Sequence, residues 1–239
     1  MFEVGPIEAL LHEAYIAAEG TRLRDEDRKK AVELAGLLGE LARTRKRGHL
    51  VDAAAGKAYV GLLAAKLIGY ERVTVVEREA ERVRASREAA RRLGVEGRVD
   101  VVQGDVGDPG CWPRAFDLVA ALHACGPASD LVIDAATGSA AKWLLLVPCC
   151  YGALVPFAEA AEAKADEAGM AHHPEVRRRM VAALVDAERT LRLEAAGWQT
   201  TVVPFVAPTV TPHNLLWRAR RSREPGRMAE AQAALRRLR

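Results

Sequence analysis

The sequence predicts an α/β fold in which a mostly parallel, seven-stranded sheet carries helices on both faces and ends in an antiparallel hairpin. Three observations support this prediction. Short apolar runs alternate with segments whose apolar residues recur at helical spacing. The first of these runs breaks into small residues and leads directly into a helical pattern. Near the C-terminus, two β-type runs at 198–206 and 214–221 are separated only by a Pro-rich connection.

Length and composition indicate one soluble domain. The chain has 239 residues, half of them hydrophobic, which is enough to bury a full core. No apolar run reaches the ~20 residues that a membrane span needs, and residues 1–6 do not resemble a signal peptide. Four cysteines, two of them adjacent, form a poor disulfide framework. We therefore expect a cytoplasmic protein with reduced thiols and no membrane partner.

The basic residues are mostly arginines and are unevenly distributed. The net charge of +3 is too small to argue for a nucleic-acid partner by itself. Arginine-rich clusters could contact phosphates where they converge in space, and solvated helix faces are the alternative for each cluster. The clusters lie at 43–47, 177–179, 218–223 and 236–239.

Two amphipathic helices are predicted before the first strand, at 6–19 and 25–42. Gly20 is placed to end the first helix, and Asp25 is a candidate N-cap of the second. Leucines recur at helical spacing along the second helix, which predicts that one of its faces packs on the sheet. These are Leu34, Leu37, Leu38 and Leu41.

The stretch 50–59 is predicted to form a strand, a tight turn and the start of a helix. A helix N-terminus at the carboxyl edge of a sheet favours an anionic or polar ligand. Gly56 can adopt the left-handed conformation, and small neighbours such as Ala54 let a ligand touch the backbone. Close packing of a helix against a strand is the alternative reason for such small residues.

Acidic residues close the first three predicted strands. Asp52 lies at the end of the first strand, Glu77 follows the second at 72–76, and Asp105 follows the third at 99–102. Glu77 lies roughly 20 residues beyond the turn, where nucleotide-binding α/β folds hold a carboxylate for ribose hydroxyls.

Cysteine-containing stretches follow the fourth and fifth predicted strands. The fourth strand, 116–122, leads into the His-Ala-Cys-Gly stretch 123–126, and Ser129 or Asp130 is expected to cap the next helix. The fifth strand, 142–147, ends in the Pro-Cys-Cys-Tyr stretch 148–151. Three thiols and an imidazole could hold zinc, but adjacent cysteines chelate one tetrahedral ion awkwardly. We therefore predict no metal site.

The motifs together resemble class I S-adenosylmethionine-dependent methyltransferases, which have a Rossmann-like fold. The three acids match the family's first three motifs. The family's turn usually has glycine where this chain has Ala54 and Ala58, which leaves a positive φ at those positions open. The Leu-His-x-Cys-Gly and Pro-Cys-Cys-Tyr stretches resemble the methyltransferase-like-25 group and its bacterial relatives, and more distantly the TRM13-type tRNA 2′-O-methyltransferases. Those tRNA enzymes have histidine in place of Tyr151, which argues against a simple transfer of their activity.

The resemblance implies a division of the chain and a set of site residues. Residues 1–48 would form an N-terminal helical extension, 49–223 the methyltransferase domain with a helical insert at 153–196, and 224–239 a C-terminal helix. His123 would act as general base with Tyr151 as positioner, although a histidine that merely closes a strand is an equal alternative. The implied cofactor is S-adenosyl-L-methionine, with S-adenosyl-L-homocysteine as product, contacted by Asp52, Ala53, Ala54, Gly56, Lys57, Glu77, Arg78, Asp105, Val106, Leu122 and His123. The implied acceptor-side residues are Cys125, Pro148, Cys149, Cys150 and Asn214.

Two other classes of function share part of this pattern. A nicotinamide-dependent oxidoreductase would keep the first turn and Glu77 but would lack the closing hairpin. A non-catalytic module that binds S-adenosylmethionine and acts through its arginine surfaces would keep the cofactor pocket but bury or block the cleft beside His123. For the methyl acceptor, RNA is the first expectation, protein the second and a small molecule the third.

Overall fold

The computed structural model describes residues 2–17, 20–45 and 47–239, and their strands form one seven-stranded sheet. The strand order across the sheet is β3-β2-β1-β4-β5-β7-β6. The strands are β1 (His49–Ala53), β2 (Arg72–Glu77), β3 (Val99–Gln103), β4 (Leu118–Ala124), β5 (Trp143–Pro148), β6 (Trp198–Pro204) and β7 (Leu215–Arg221). The helices are α1 (Val4–Leu11), α2 (Asp25–Arg43), α3 (Tyr59–Leu63), α4 (Ala80–Arg92), α5 (Ala128–Gly138), α6 (Ala158–Glu167), α7 (Pro174–Ala195) and α8 (Pro225–Leu238).

The first five strands are parallel, and the last two form an antiparallel pair. β1 pairs with β2 and β4, β2 with β3, and β4 with β5, all in parallel. β7 runs antiparallel to both β5 and β6. The predicted mostly parallel sheet with a C-terminal antiparallel hairpin is therefore confirmed. This hairpin is the feature expected to separate a methyltransferase from a nicotinamide-dependent oxidoreductase.

The two faces of the sheet are covered by different helices because successive side chains of a strand point to opposite faces. Leu50 of β1 packs in a core with α1, α2, α3 and α4, whereas Val51 packs in a second core with α5 and the end of α7. The same alternation separates Leu145 from Leu144 in β5. A third, smaller core joins α6 to α7.

Helix α2 packs directly on the sheet, as its leucine stripe predicts. Leu34, Leu37, Leu38 and Leu41 are all fully buried. A Cβ placed on Gly36 would come within 2.6 Å of the Phe205 carbonyl oxygen, so this helix approaches the end of the hairpin closely. This tight approach fixes where the polar side chains of α2 lie.

Several predicted boundaries need correction. Asp25 is the first residue of α2 rather than its N-cap, which is Arg24, and the Asp27 carboxylate accepts a hydrogen bond from the Arg24 N–H. Neither Ser129 nor Asp130 caps α5, whose N-cap is Pro127. The Ser129 hydroxyl instead donates to the Ala124 carbonyl, and Asp130 is engaged by arginines of α7.

The helical segments also differ in extent from the prediction. The first helix begins at Val4 and continues through a π-helical turn at His12–Ile16, while residues 18 and 19 of the predicted segment lie outside the described residues. The helix predicted from 153 begins only at Ala158, because residues 151–157 form turns around Pro156. Within the part of the chain described, no helix combines the length and apolar character that a membrane crossing requires. The division at 48 and 223 stays a prediction.

Candidate functional site

The turn after β1 contains three residues with left-handed backbone conformations. The sequence had left a positive φ at the two alanines an open question. Ala54, Gly56 and Ala58 have φ values of 52°, 60° and 56°. A left-handed alanine costs about 1–2 kcal/mol, so the surrounding contacts must hold this turn. The Ala55 N–H donates to the Val76 carbonyl at 3.1 Å, which ties the turn to β2. The two alanines thus reproduce a backbone shape that is usually made with glycine.

Glu77 joins the end of β2 to this turn. One carboxylate oxygen accepts the Gly56 N–H at 2.7 Å, and the other accepts the Glu79 N–H at 2.9 Å. An ionised carboxylate has about four acceptor positions, so two remain for a ligand. Glu77 is nearly buried, yet it lines a cavity at the carboxyl edge of the sheet. Its remaining acceptor positions suit a pair of hydroxyl groups.

This cavity, which we call the cofactor cleft, has a volume of about 180 Å³. Gly104 forms part of its wall, where a Cβ would lie 2.1 Å from the Cys111 sulfur, so any larger residue would require the Cys111 side chain to move. The Gly107 N–H donates to Asp105 at 2.8 Å and fixes that carboxylate at the rim. Seven of the predicted site residues line the cleft: Ala54, Glu77, Arg78, Asp105, Val106, His123 and Cys125.

Other predicted cofactor residues do not line the cleft. Asp52 is buried behind the turn, where its carboxylate accepts the Gly61 N–H at 2.7 Å. Burial raises the pKa of Asp52 to about 7. The hydrogen bond from Gly61 lowers this pKa, and repulsion from the Glu77 carboxylate raises it further. Ala53 is fully buried in the core. Leu122 is half-buried in β4 and packs against the sheet face that carries α2.

Lys57 is directed to a different cavity. Its ammonium lies 5.8 Å from the centre of the Tyr15 ring, and the Tyr15 hydroxyl donates to the Lys57 carbonyl. Both residues line a basic cavity between the N-terminal helices and α3. The side chain of Lys57 therefore faces the N-terminal helices rather than the cofactor cleft.

His123 lies at a bulge near the end of β4. The register of β4 against β5 shifts between Leu122 and Ala124, and His123 has a φ of 58°. Its Nε2 lies 3.0 Å from the carboxylate of Glu33 on α2. Its Nδ1 is buried and has no hydrogen-bond partner among the described residues. This arrangement fixes the ring orientation and leaves one nitrogen without a partner.

Glu33 is a site residue that the sequence analysis missed. Burial alone would raise its pKa, but hydrogen bonds from His123 and Lys30 hold the pKa of Glu33 below its ordinary value. The signal was present, because Glu33 lies four residues before Leu37 and therefore on the apolar stripe of α2. A carboxylate on a buried helix face needs a hydrogen-bond or ion-pair partner, because burying an unpaired charge is costly.

Three cysteines meet where β4 and β5 end. The Cys125 and Cys149 sulfurs are 2.8 Å apart, and the Cys149 and Cys150 sulfurs are 3.6 Å apart. Burial raises the pKa of the Cys125 and Cys149 thiols, whereas a hydrogen bond from the Gly126 N–H lowers the pKa of Cys150. Pro148 is buried just before them.

A second cavity lies beyond the cysteines, and we call it the acceptor groove. Its volume is about 1230 Å³, and its lining includes Cys149, Tyr151, His213 and the arginines 177–179. The Tyr151 hydroxyl donates to Asp186 at 3.1 Å, and burial raises the pKa of both groups, that of Asp186 to about 6. The amide of Asn214 donates to the Val206 carbonyl at 2.9 Å and stabilises the hairpin connection.

A buried ion pair supports the wall of this groove. Arg189 of α7 is fully buried and donates two hydrogen bonds to Asp130 of α5, at 2.7 and 3.2 Å. Its guanidinium also lies 5.7 Å from the centre of the Tyr151 ring. The sequence analysis missed this pair, although Arg189 lies on the helical stripe that includes Val185 and Leu193. The signal was again a charge on a buried helix face.

Comparison with curated proteins identifies relatives of much greater length. A glutathione S-transferase C-terminal domain-containing protein of Xenopus laevis is 28% identical over 142 residues, which are 56% of this chain and 21% of the relative. A homologue of that protein in Drosophila melanogaster is 26% identical over 217 residues, which are 80% of this chain and 36% of the relative. The chain thus spans only about a fifth to a third of the length of these relatives.

Comparison with solved structures shows the same fold in two further proteins. Protein 1320 of Thermoplasma acidophilum is 16% identical with a TM-score of 0.50, covering 92% of this chain and 98% of that one. A Streptococcus pneumoniae protein, described as a candidate tRNA methyltransferase in complex with S-adenosyl-L-methionine, is 10% identical with a TM-score of 0.51. That match covers 79% of this chain and 73% of the Streptococcus chain.

A protein-family model matches the chain and identifies its family. The model, described as a methyltransferase domain, matches residues 29–156, which is more than half of the sequence. The matched range includes most of α2 and every residue of the cofactor cleft. S-adenosylmethionine is the cofactor that this family and fold imply. The chain belongs to the methyltransferase-domain family and has the class I S-adenosylmethionine-dependent methyltransferase fold, which confirms the resemblance drawn from its motifs.

Proposed function

We propose that this protein is a methyltransferase that transfers the methyl group of S-adenosylmethionine to RNA. The observation that carries the proposal is the junction of two cavities. Cys125 lines the cofactor cleft, Cys149 lines the acceptor groove, and their sulfurs are 2.8 Å apart. A methyl donor in the cleft would thus lie beside the space for an acceptor.

The residues of the cofactor cleft fit S-adenosylmethionine. Glu77 would accept hydrogen bonds from the ribose hydroxyls, because two of its acceptor positions are not used by backbone N–H groups. The left-handed turn at 54–58 would let the methionine part approach the backbone, and Asp105 with Val106 would contact the adenine. When bound, the cofactor supplies a methyl group activated by a sulfonium sulfur.

The acceptor groove favours a large, anionic acceptor. Its volume of about 1230 Å³ is several times the volume of about 180 Å³ of the cofactor cleft, so it can admit an acceptor larger than the cofactor. Arg177 is neutralised by Asp166 and Glu162, but Arg179 has no ion-pair partner among the described residues. The Arg178–Glu175 pair is exposed and therefore weak, so a phosphate could displace it. A single-stranded or splayed-out nucleotide fits these properties.

Within this proposal, His123 acts as general base. Glu33 would accept a hydrogen bond from the Nε2–H of the neutral ring, and this tautomer has its lone pair on Nδ1. Nδ1 is buried, so acceptor binding would have to move the surrounding side chains to expose it. Nδ1 would then take the proton that the acceptor loses as it attacks the methyl carbon, and Glu33 would stabilise the resulting imidazolium. Tyr151, held by Asp186, would position the acceptor base at the groove.

The proposal is tested by methyl transfer from labelled S-adenosylmethionine to separate pools of tRNA, total RNA, protein and small metabolites. We expect incorporation into RNA, and a loss of roughly 100-fold or more in the rate of transfer by His123→Ala at saturating S-adenosylmethionine. Arg179→Glu should weaken the use of RNA, whereas Arg84→Glu, an equal charge change on exposed α4, should not.

Three other outcomes would contradict all or part of the proposal. Incorporation into protein or metabolites without RNA would overturn the proposed acceptor. Cofactor binding without transfer to any pool would favour the non-catalytic module. Failure to bind S-adenosylmethionine, with the fold intact by circular dichroism, would overturn the proposal as a whole.

A further inference from the structure

We propose that Cys125, Cys149 and Cys150 form a binding site for one zinc ion at the junction of the cofactor cleft and the acceptor groove. This proposal does not rest on the proposed function. It rests on the positions of three sulfur atoms contributed by the ends of β4 and β5, which all lie within 4.8 Å of one another.

The sulfur positions are close to those of a zinc thiolate site. With Zn–S bonds of about 2.3 Å and tetrahedral angles, two bound sulfurs lie about 3.8 Å apart. The Cys149 and Cys150 sulfurs are 3.6 Å apart, and those of Cys125 and Cys149 are 2.8 Å apart. Side-chain rotation that separates the closer pair by about 1 Å would give that pair the spacing of two zinc-bound sulfurs. The third pair, Cys125 and Cys150, is separated by no more than 4.8 Å.

Adjacent cysteines were expected to chelate one ion awkwardly, but the backbone at Cys149 and Cys150 lets both sulfurs face the same point. Within a strand, neighbouring side chains point to opposite faces. β5 ends at Pro148, so the two cysteines follow the last strand residue and are free of this alternation. Their sulfurs converge on Cys125, which lies on the neighbouring chain segment after β4.

The environment of the cluster suits a bound ion rather than three isolated thiols. Among the described residues, these sulfurs contact one another, the His123 carbonyl, which lies 3.6 Å from the Cys149 sulfur, and the Gly126 N–H, which donates a hydrogen bond to Cys150. Cys125 is exposed and the other two are half-buried, so an ion can enter. Three protein ligands leave the fourth position of a tetrahedral ion for water or another group. The ion would tie the ends of β4 and β5 together between the two cavities.

The test uses the full chain, purified under reducing conditions, stripped of metal by a chelator and kept under argon. Zinc is titrated against a chromophoric competitor, and cobalt is substituted to record thiolate-to-metal charge-transfer absorption. We expect one ion per chain and a dissociation constant below about 1 µM, with a rise in the midpoint of thermal unfolding on adding zinc. Cys125→Ser, Cys149→Ser and Cys150→Ser should each lower the affinity by at least about 100-fold.

Cys111→Ser is the matched control, because Cys111 is the fourth cysteine and contacts Asp108 instead of the cluster. This variant should bind zinc as the unchanged protein does. The proposal is overturned if the reduced protein, with all four thiols titrated, binds no zinc below about 10 µM. It is equally overturned if Cys111→Ser weakens binding as much as the cluster variants do. A Cys125–Cys149 disulfide found by intact mass in air, with no zinc bound after reduction, also overturns it.

Discussion

The cofactor cleft and the acceptor groove are built by different kinds of contact. In the cleft, Glu77 is held by backbone N–H groups of Gly56 and Glu79, at 21 and 2 residues along the chain. At the groove, Asp130 is held by Arg189, which is 59 residues away and on another helix. A short motif with small residues encodes the first site, whereas the second depends on how the helices pack.

The difference extends to the way charge is stabilised. Backbone N–H groups at the carboxyl edge of the sheet are fixed by the strands and turns themselves, so the acids of the cleft need no specific side-chain partner. At the groove, buried carboxylates are balanced by guanidinium groups, and the loss of one partner leaves the other charge buried. Substitutions should therefore affect ligand binding at the cleft and folding at the groove.

The largest effect is expected from breaking the buried pair at the groove. Arg189→Leu removes the bidentate partner of the nearly buried Asp130 and leaves it only the ion pair with Arg192, so we expect a loss of about 2–4 kcal/mol in the free energy of unfolding. Urea denaturation followed by circular dichroism measures this loss. Arg178→Leu, on the same helix but in an exposed pair, should cost under about 1 kcal/mol. Equal losses in the two variants would contradict the assigned role of the buried pair.

The same contrast explains how much the sequence could predict. The sheet, its hairpin and the acids Glu77 and Asp105 follow from apolar periodicity and from the rule that parallel strands share a carboxyl edge. The partners Glu33 and Arg189 could not be assigned, because no local pattern says which helix faces which strand end. Their position on buried stripes indicated only that each needed a partner.

At the cleft, the expected loss is one of binding. Glu77→Gln replaces an acceptor oxygen by an amide nitrogen, which leaves either a backbone N–H or a ribose hydroxyl without an acceptor. We expect S-adenosylmethionine binding to weaken by about 1.5–3 kcal/mol, measured by isothermal calorimetry. Glu81→Gln removes the same charge from the exposed first turn of α4, where its side chain is 91% exposed, and should bind normally. Unchanged affinity in Glu77→Gln would show that this acid does not contact the cofactor.

Two buried carboxyls, Asp52 behind the turn of the cleft and Asp186 at the groove, should make stability fall as the pH rises through their raised pKa values. Burial raises the pKa of Asp52 from 3.8 in the unfolded chain to about 7. Between these values the folded state binds more protons than the unfolded state, so this group's contribution to stability is complete below about pH 4 and is lost as the pH rises through 7. The slope is at most about 1.4 kcal/mol per pH unit.

Asp52→Asn keeps an acceptor for the Gly61 N–H and removes the titration. Urea denaturation from pH 5 to 8 should therefore show that the stability of Asp52→Asn relative to the unchanged protein rises up to about pH 7 and then stays constant. In Asp186→Asn, at the groove, the corresponding rise should end near pH 6, because burial raises the pKa of Asp186 only to about 6. A constant difference across the range in Asp52→Asn would contradict the raised pKa.

The smallest effect concerns the left-handed alanines of the turn. Ala54→Gly relieves a backbone cost of about 1–2 kcal/mol, and the greater freedom of glycine in the unfolded chain takes back about 0.4–1 kcal/mol. We expect thermal and urea unfolding to show a stability gain between zero and about 1.6 kcal/mol. Ala58→Gly should change little, because Ala58 is fully buried and also loses the packing of its methyl group. Ala55→Gly, in the same turn without a positive φ, should lose about 0.5–1 kcal/mol. If Ala54→Gly and Ala55→Gly are destabilised alike, the left-handed turn imposes no cost on alanine, and glycine in the related motifs must serve ligand contact alone.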